Sequence, residues 1–330
     1  MNSKKINIGV IGSGHLGQHH VKHYKSMNNI NFLGLHDINP ERGGEIAKKY
    51  ETKYFENVFN LMEACDGVSI VTPTESHYDV AKIALNEFGC NVFIEKPITE
   101  TISQADDLID HAQKNNLIIQ VGHIERLNPA LKALEKYDIN PKFIDIQRLA
   151  PYTARGTDVP VVLDLMIHDI DILLSLVKSK VKSIHASGVS ILTNSVDIAH
   201  ARIRFENGTV SSVTASRVAK DKVRKIKIFQ DNLYSTIDLL LGQTEVYNIT
   251  KDPNIIENAL QSEPFPIDNE KKYIVYEKPK IKNYDSLREE LNNFVNSILK
   301  IESPIVNGIE ARNALEVVIK INEMILEDLK

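Results

Sequence analysis

An α/β fold in two parts is predicted for this chain: a doubly wound parallel sheet first, then a second α/β part built on a largely antiparallel sheet. Three observations carry that prediction. A glycine-rich turn joins a short apolar run to a helix-like segment near the start. Apolar runs then alternate with helical segments up to residue 121, and beyond Val177 strand-like runs follow one another through short turns. The 330 residues suffice for two packed cores, and 42% hydrophobic with 25% charged residues is an ordinary globular balance.

Residues 6–11 read as the first strand. Gly12-Ser13-Gly14-His15-Leu16-Gly17 follows at once and opens a helix that runs to about Met27. In this setting Gly12 allows a tight turn, Gly14 lets the backbone approach a pyrophosphate, and Gly17 lets helix and strand pack closely. The helix N-terminus faces the phosphates, and His15 and Leu16 belong to the same candidate cofactor surface. The second strand, residues 31–35, ends in His36-Asp37. Asp37 stands about twenty residues after the last glycine, where an acid holds the adenine ribose hydroxyls. Asp37 would repel a 2′-phosphate and no arginine directly follows it, Arg42 being five residues on, so NAD is expected over NADP. His15, His19, His20 and His23 share helical spacings, but no Cys or carboxylate cluster accompanies them and no metal site is predicted.

Strands at 68–71, 92–94 and 118–121 alternate with helices at 78–88 and 102–115, the rhythm of a parallel sheet. Ligands bind at the carboxyl ends of such strands. Thr72-Pro73-Thr74-Glu75-Ser76-His77 and Glu95-Lys96-Pro97 both lie there, so Thr72, Pro73, His77, Glu95 and Lys96 join the candidate cofactor set. A lysine just past a buried strand and followed by proline is held in place, although a plain surface lysine is the competing reading.

The segment 157–177, TDVPVVLDLMIHDIDILLSLV, reads as an apolar helix with one polar stripe. At about 100° per residue, Asp164, His168, Asp171 and Ser175 fall within roughly 60° of one another. Ionisable groups there need partners or a cavity, so the stripe either lines a ligand site or forms a satisfied buried pair. Asp169 falls off the stripe and reads as a surface residue. Asp158 is the expected N-cap, with Pro160 in the first turn. After Val177, runs at 181–192, 197–206, 209–218, 223–230 and 234–240 read as an antiparallel meander, and helices at 285–300 and 308–329 close the chain. In the second run, Ala201, Ile203 and Phe205 alternate with His200, Arg202 and Arg204, so one face packs on helices and the other carries charge or meets a second subunit.

A net charge of −5 without a dense Lys/Arg block argues against nucleic acid as the main partner. Cys65 and Cys90 are too few for a disulfide framework and read as reduced thiols. The apolar run after Lys4-Lys5 stops at Gly12 without a cleavage pattern, and no segment has the length of a membrane span. A cytoplasmic protein is expected.

Together these pieces resemble the glucose-fructose oxidoreductase and inositol dehydrogenase family, often called Gfo/Idh/MocA. The matching residues are Gly12-x-Gly14-x-x-Gly17-x-x-His20, Asp37, Thr72-Pro73-Thr74-x-x-His77, Glu95-Lys96-Pro97, Gly122-His123-x-x-Arg126-x-Asn128-Pro129 and Asp164-x-x-x-His168-x-x-Asp171, in family order. The resemblance implies an NAD-binding Rossmann domain over 1–123 and a substrate-binding and oligomerisation domain over 124–330. That second domain would have an open, largely antiparallel sheet, with the last helix packing back on the first domain. It also implies a cofactor cleft with Lys96, Asp164 and His168 around the reacting carbon. Many members carry a glycine run before the catalytic helix, whereas this chain has Arg155-Gly156-Thr157-Asp158-Val159-Pro160. That form, with DLMIHDID after it, is similar to a bacterial subgroup that oxidises the 3-hydroxyl of UDP-N-acetylglucosamine. In that subgroup the 3-keto product passes to an aminotransferase supplying 3-amino sugars for lipid A.

The leading expectation is an NAD-dependent dehydrogenase of a nucleotide sugar. His168 would be the base and Lys96 the electrostatic stabiliser, the two roles exchanging if desolvation makes Lys96 the proton acceptor, and Asp164 would orient the imidazole or hydrogen-bond a neighbouring sugar hydroxyl. A diphosphate substrate needs guanidinium clamps, for which Arg126, Arg148 and Arg155 are candidates, and Asn128, Tyr152 and Asp171 complete the expected substrate set. A free sugar or cyclitol dehydrogenase and a non-catalytic NAD-binding regulator are the alternatives. An uncovered sheet of this size predicts a homodimer or homotetramer.

Overall fold

The computed structural model describes residues 5–153, 159–265 and 271–330. Its contacts divide into two units: residues up to Ile124 with Asp285–Glu316, and Glu125–Tyr284 with Val317–Lys330. In the first unit, short apolar runs become strands buried on both faces, as a parallel sheet requires. These are β1 (Ile6–Ile11), β2 (Ile30–His36), β3 (Gly67–Ile70), β4 (Asn91–Glu95) and β5 (Ile119–Gly122). They pair in the order β2-β1-β3-β4-β5, every pair parallel. A further parallel bridge from Leu35 to Tyr54 extends the ladder beyond β2. The strand order therefore reverses between β1 and β3, and the carboxyl edge at that reversal is where ligands bind in such sheets.

The helices of this unit are α1 (Gly17–Ser26), α2 (Pro40–Lys49), α3 (Val58–Ala64), α4 (His77–Asn86) and α5 (Ile102–Asn115). Local signals set their ends. Asn39 caps α2 through Arg42 N–H with Pro40 in the first turn, and Thr101 with Gln104 forms a reciprocal capping box on α5. The expected domain limits need one amendment. The helix Ser286–Ile298 belongs to the first unit, because its Leu291, Phe294 and Val295 lie in one core with Ile8, Val10, Tyr24 and Phe93. The closing helix Gly308–Asp328 is divided between the two units after Glu316.

The second unit is built on β6 (Phe143–Leu149), β7 (Val181–Val189), β8 (Ile198–Phe205), β9 (Val210–Ser216), β10 (Val223–Gln230), β11 (Leu233–Asp238), β12 (Gln243–Thr250), β13 (Gln261–Pro264) and β14 (Tyr273–Glu277). Their order is β13-β14-β12-β11-β10-β6-β9-β8-β7. The expected meander is thus corrected. β6 inserts between β9 and β10, pairs parallel with β9 and antiparallel with β10, and splits the run into two. Its alternation buries Ile144, Ile146 and Arg148 on one face, and nothing local to residues 143–149 reveals that two distant strands will flank it. The alternation in β8 is realised, with Ala201, Ile203 and Phe205 buried and His200, Arg202 and Arg204 exposed.

On the buried face lie the short helix α6 (Pro129–Lys132) and α7 (Ile167–Val177), against β11, β12 and β6. The expected helix from 157 is corrected too: Val162–Met166 is a π-helical turn, and regular α geometry begins at Ile167. Among the described residues no helix is long and apolar enough to cross a membrane, and Cys65 and Cys90 are free and buried.

Candidate active site

The glycine turn is built by backbone crowding. Gly12 has φ +91°, and a Cβ there would meet Val71 O at 2.5 Å, while a Cβ on Gly17 would meet Gly12 O at 2.0 Å. A side chain at either position would push the turn apart. Gly14 differs, since a Cβ there would meet nothing within 4 Å. The space over Gly14 is thus open to the close backbone approach that a pyrophosphate requires, and exposed His15 and Leu16 flank it at the start of α1. These residues fit a dinucleotide.

Asp37 ties this turn to the end of β2. Its Oδ2 accepts from Ser13 N–H and Ser13 Oγ–H, each at 2.7 Å, and from Arg42 Nε at 3.1 Å. Its Oδ1 accepts from Asn39 N–H at 2.9 Å and Arg42 Nη2 at 2.7 Å. Burial pushes this carboxyl up, but the Arg42, Ser13 and Asn39 donors outweigh it and hold Asp37 well below the usual carboxylate range. Ser13 and Arg42 are partners that sequence reasoning missed. Arg42 was weighed only by its distance along the chain, whereas α2 starting at Pro40 turns residue 42 back onto Asp37.

Along the same strand edge, Ser76 Oγ–H donates to Thr72 Oγ1 at 2.8 Å and Pro73 is exposed. His77, expected to meet the cofactor, is buried, with Nδ1 2.8 Å from Pro97 O and Nε2 2.9 Å from Thr72 O. The correction is that His77 braces the Thr72 turn against the Lys96-Pro97 turn. Burial lowers its pKa, and the two carbonyls offset only part of that. Lys96 is half-buried beside it. Glu95 turns its carboxylate to buried His20, Oε1 to Nε2 at 3.0 Å, and a Cβ on Gly122 would meet that carboxylate at 2.9 Å. Of the other histidines near the turn, His15 and His19 meet edge to face and His23 lies 3.5 Å from Asp285.

In the second unit, the candidate residues stand on α7 and the π turn before it. Asp164 and His168 are half-buried. Pro160 O accepts from Leu163 N–H at 3.0 Å and Asp164 N–H at 3.1 Å, which starts the turn. Asp171 is buried and takes a bidentate fork from Arg126, Nε to Oδ2 at 2.7 Å and Nη2 to Oδ1 at 2.8 Å.

Asp169, read as a surface residue, is 1% exposed and receives both Nε and Nη2 of Arg148 at 2.8 Å. The expectation for Arg148 as a diphosphate clamp is corrected with it. Its remaining Nη1 donates to Glu125 Oε1 at 3.0 Å, which also accepts from Arg224 at 2.9 Å. Burial works against the Arg148 charge, but Asp169 and Glu125 outweigh it and hold the guanidinium above its ordinary range. Asn128 is committed locally as well. Its Oδ1 caps α6 at Ala130 N–H, and its Nδ2 donates to Leu239 O at 3.0 Å. Tyr152 is exposed, and Arg155 and Asp158 lie outside the described residues. No local sequence signal announced Glu125 or Asp169, because their partners sit on β6 and β10.

Residues 6–123 match the family described as "Oxidoreductase family, NAD-binding Rossmann fold", and residues 146–232 match the "GFO/IDH/MocA C-terminal domain". The UDP-N-acetylglucosamine 3-dehydrogenase of Acidithiobacillus ferrooxidans is 33% identical over 322 residues, covering 96% of each chain. A solved structure of that organism's UDP-N-acetylglucosamine 3-dehydrogenase GnnA superposes with TM-score 0.88 at 31% identity, covering 99% of this chain and 100% of the other. A myo-inositol 2-dehydrogenase of Thermotoga maritima is 24% identical and covers 94% of this chain and 93% of its own.

Proposed function

Because this chain belongs to the GFO/IDH/MocA oxidoreductase family, we propose that it oxidises a secondary hydroxyl of a nucleotide sugar, the 3-hydroxyl of UDP-N-acetylglucosamine above all. It is an oxidoreductase with an NAD-binding Rossmann domain. The substrate reading is supported by the full-length likeness to a UDP-N-acetylglucosamine 3-dehydrogenase and by the Arg155-Gly156-Thr157-Asp158-Val159-Pro160 segment.

One observation carries the chemistry: Asp164 and His168 stay half-buried, whereas Asp169 and Asp171 on the same segment are buried under arginines. Bound NAD supplies the hydride acceptor. His168 takes the hydroxyl proton, since imidazole titrates near working pH. Lys96 stabilises the developing alkoxide and Asp164 orients the imidazole. With Arg148 enclosed by Asp169 and Glu125, recognition of a diphosphate falls to Arg155, and Arg155→Ala raises KM for a UDP-sugar more than it lowers kcat.

Incubation with NAD and UDP-N-acetylglucosamine, other UDP-sugars, myo-inositol and free glucose, followed by absorbance of the reduced cofactor, tests the reading. Turnover of myo-inositol with none of UDP-N-acetylglucosamine would move it to the cyclitol alternative, which the T. maritima relative favours. No turnover of any substrate with NAD bound would favour a regulator. The reading extends to a cytoplasmic enzyme whose 3-keto product goes to an aminotransferase for lipid A.

It also includes a homodimer or homotetramer. Phe143, Phe229, Tyr234, Tyr247 and Tyr276 form a continuous row of ring contacts across β6, β10, β11, β12 and β14, on the face away from the helices. Phe143, Phe229 and Tyr247 are 38%, 40% and 37% exposed, a large apolar row for a second copy to cover. A monomer by light scattering at micromolar concentration removes this part.

A further inference from the structure

We infer that the two arginine forks on α7, Arg148 to Asp169 and Arg126 to Asp171, with Glu125 joining them, are a positioning device that fixes the azimuth of His168 for proton transfer. The inference rests on His168 being the base.

The geometry comes from the helix itself. At about 100° per residue, Asp169 lies about 100° to one side of His168 and Asp171 about 60° to the other. Along the axis they stand only about 1.5 Å and 4.5 Å beyond it. Each carries a planar bidentate contact, with distances of 2.8 and 2.8 Å for Arg148 and 2.7 and 2.8 Å for Arg126. A single-point contact lets a helix roll, whereas two planar forks on opposite flanks oppose rotation in both senses.

The arginines are themselves anchored. Arg148 rides β6, between β9 and β10 in the nine-stranded sheet. Arg126 directly follows Glu125, whose Oε1 accepts from Arg148 at 3.0 Å and from Arg224 on β10 at 2.9 Å. Stability alone does not account for the arrangement, because buried ion pairs are often replaceable by apolar residues without loss. Regular α geometry begins only at Ile167, one residue before His168, so contacts on the α segment must hold this part of the chain in line. A displacement of about 1 Å at a reacting group costs up to about 100-fold in rate.

The test uses the full-length enzyme with NAD and UDP-N-acetylglucosamine, or whichever substrate the panel identifies. Arg148→Lys keeps the charge and loses the fork. The pair Arg148→Met with Asp169→Leu removes both buried charges. Kinetics, NAD affinity by cofactor fluorescence, thermal midpoint and the substrate deuterium isotope effect on kcat are read for each. The expected result is a fall in kcat of about 10-fold to 100-fold, with KM within about threefold and NAD affinity unchanged. The isotope effect on kcat rises, because misaligned chemistry becomes slower than product release. Arg148→Lys falls less than the double variant, since one charge-assisted bond remains.

Either folded variant keeping kcat within about twofold of wild type, or losing midpoint with no change in kcat or isotope effect, overturns the proposal. If the double variant does not fold, Arg148→Lys alone decides by the same criteria. His168→Ala run alongside separates the two readings. If it retains turnover, the base assignment fails; if it loses turnover while the fork variants do not, only the positioning proposal fails.

Discussion

The candidate residues of the two units are held by different means. In the first unit, backbone groups at strand ends do the work: Gly12 and Gly17 crowd the backbone, and Asp37 gathers the N–H groups of Ser13 and Asn39. In the second, charged side chains do the work, Arg148 forking onto Asp169 and Arg126 onto Asp171. A site made of backbone groups tolerates exchange on its surroundings but not of its glycines. A site made of distant ion pairs tolerates backbone change but depends on matched partners.

Four experiments break or sharpen that contrast, from the largest effect to the smallest. His168→Ala should lower kcat by about 100-fold or more with NAD affinity nearly intact, the scale of lost general-base assistance. Steady-state kinetics with a separate binding titration checks it, and near-full turnover removes His168 from the base role.

The glycines should separate by function. Gly17→Ala forces a Cβ to within 2.0 Å of Gly12 O, so the turn must open and stability should fall by about 1–3 kcal/mol. Gly14→Ala meets nothing within 4 Å, so the thermal midpoint should hold while NAD binding weakens by about 10-fold or more. Equal midpoints for the two variants would mean that the turn is not held by backbone crowding.

Asp37→Asn should narrow the preference for NAD over NADP, measured as a ratio of dissociation constants, because it removes the charge that repels a 2′-phosphate and leaves Arg42 unpaired beside it. An unchanged ratio would mean that discrimination lies elsewhere.

The smallest effect is a pH dependence at His77. Burial holds its folded pKa below the ordinary imidazole value of about 6.5, so the folded protein binds that proton less readily than the unfolded chain. The stability linked to this group is complete above about pH 6.5 and declines as pH falls below it. Thermal midpoints should therefore drop on acidification, and His77→Gln should flatten that slope. An identical slope in the variant would take His77 out of the account.

Much of this was legible in the chain, and the boundary between legible and illegible follows contact range. Periodicity and glycine spacing determine the first unit, because a parallel strand buried on both faces must be an apolar run and a pyrophosphate turn must lack side chains. Asp37, Lys96 and the Asp164 to His168 spacing were visible for the same reason. Three features were decided only by the tertiary structure. β6 enters the sheet between strands that lie far along the chain, and seven residues of alternating pattern carry no information about their neighbours. The π turn at Val162–Met166 packs on β9, a strand that no local pattern in 157–177 points to. Asp169 could be read as a surface acid, and Arg148, Arg126 and Asp171 as substrate contacts, since a charge declares its role only when its partner is known. Partners separated by tens of residues meet only once the sheet has formed.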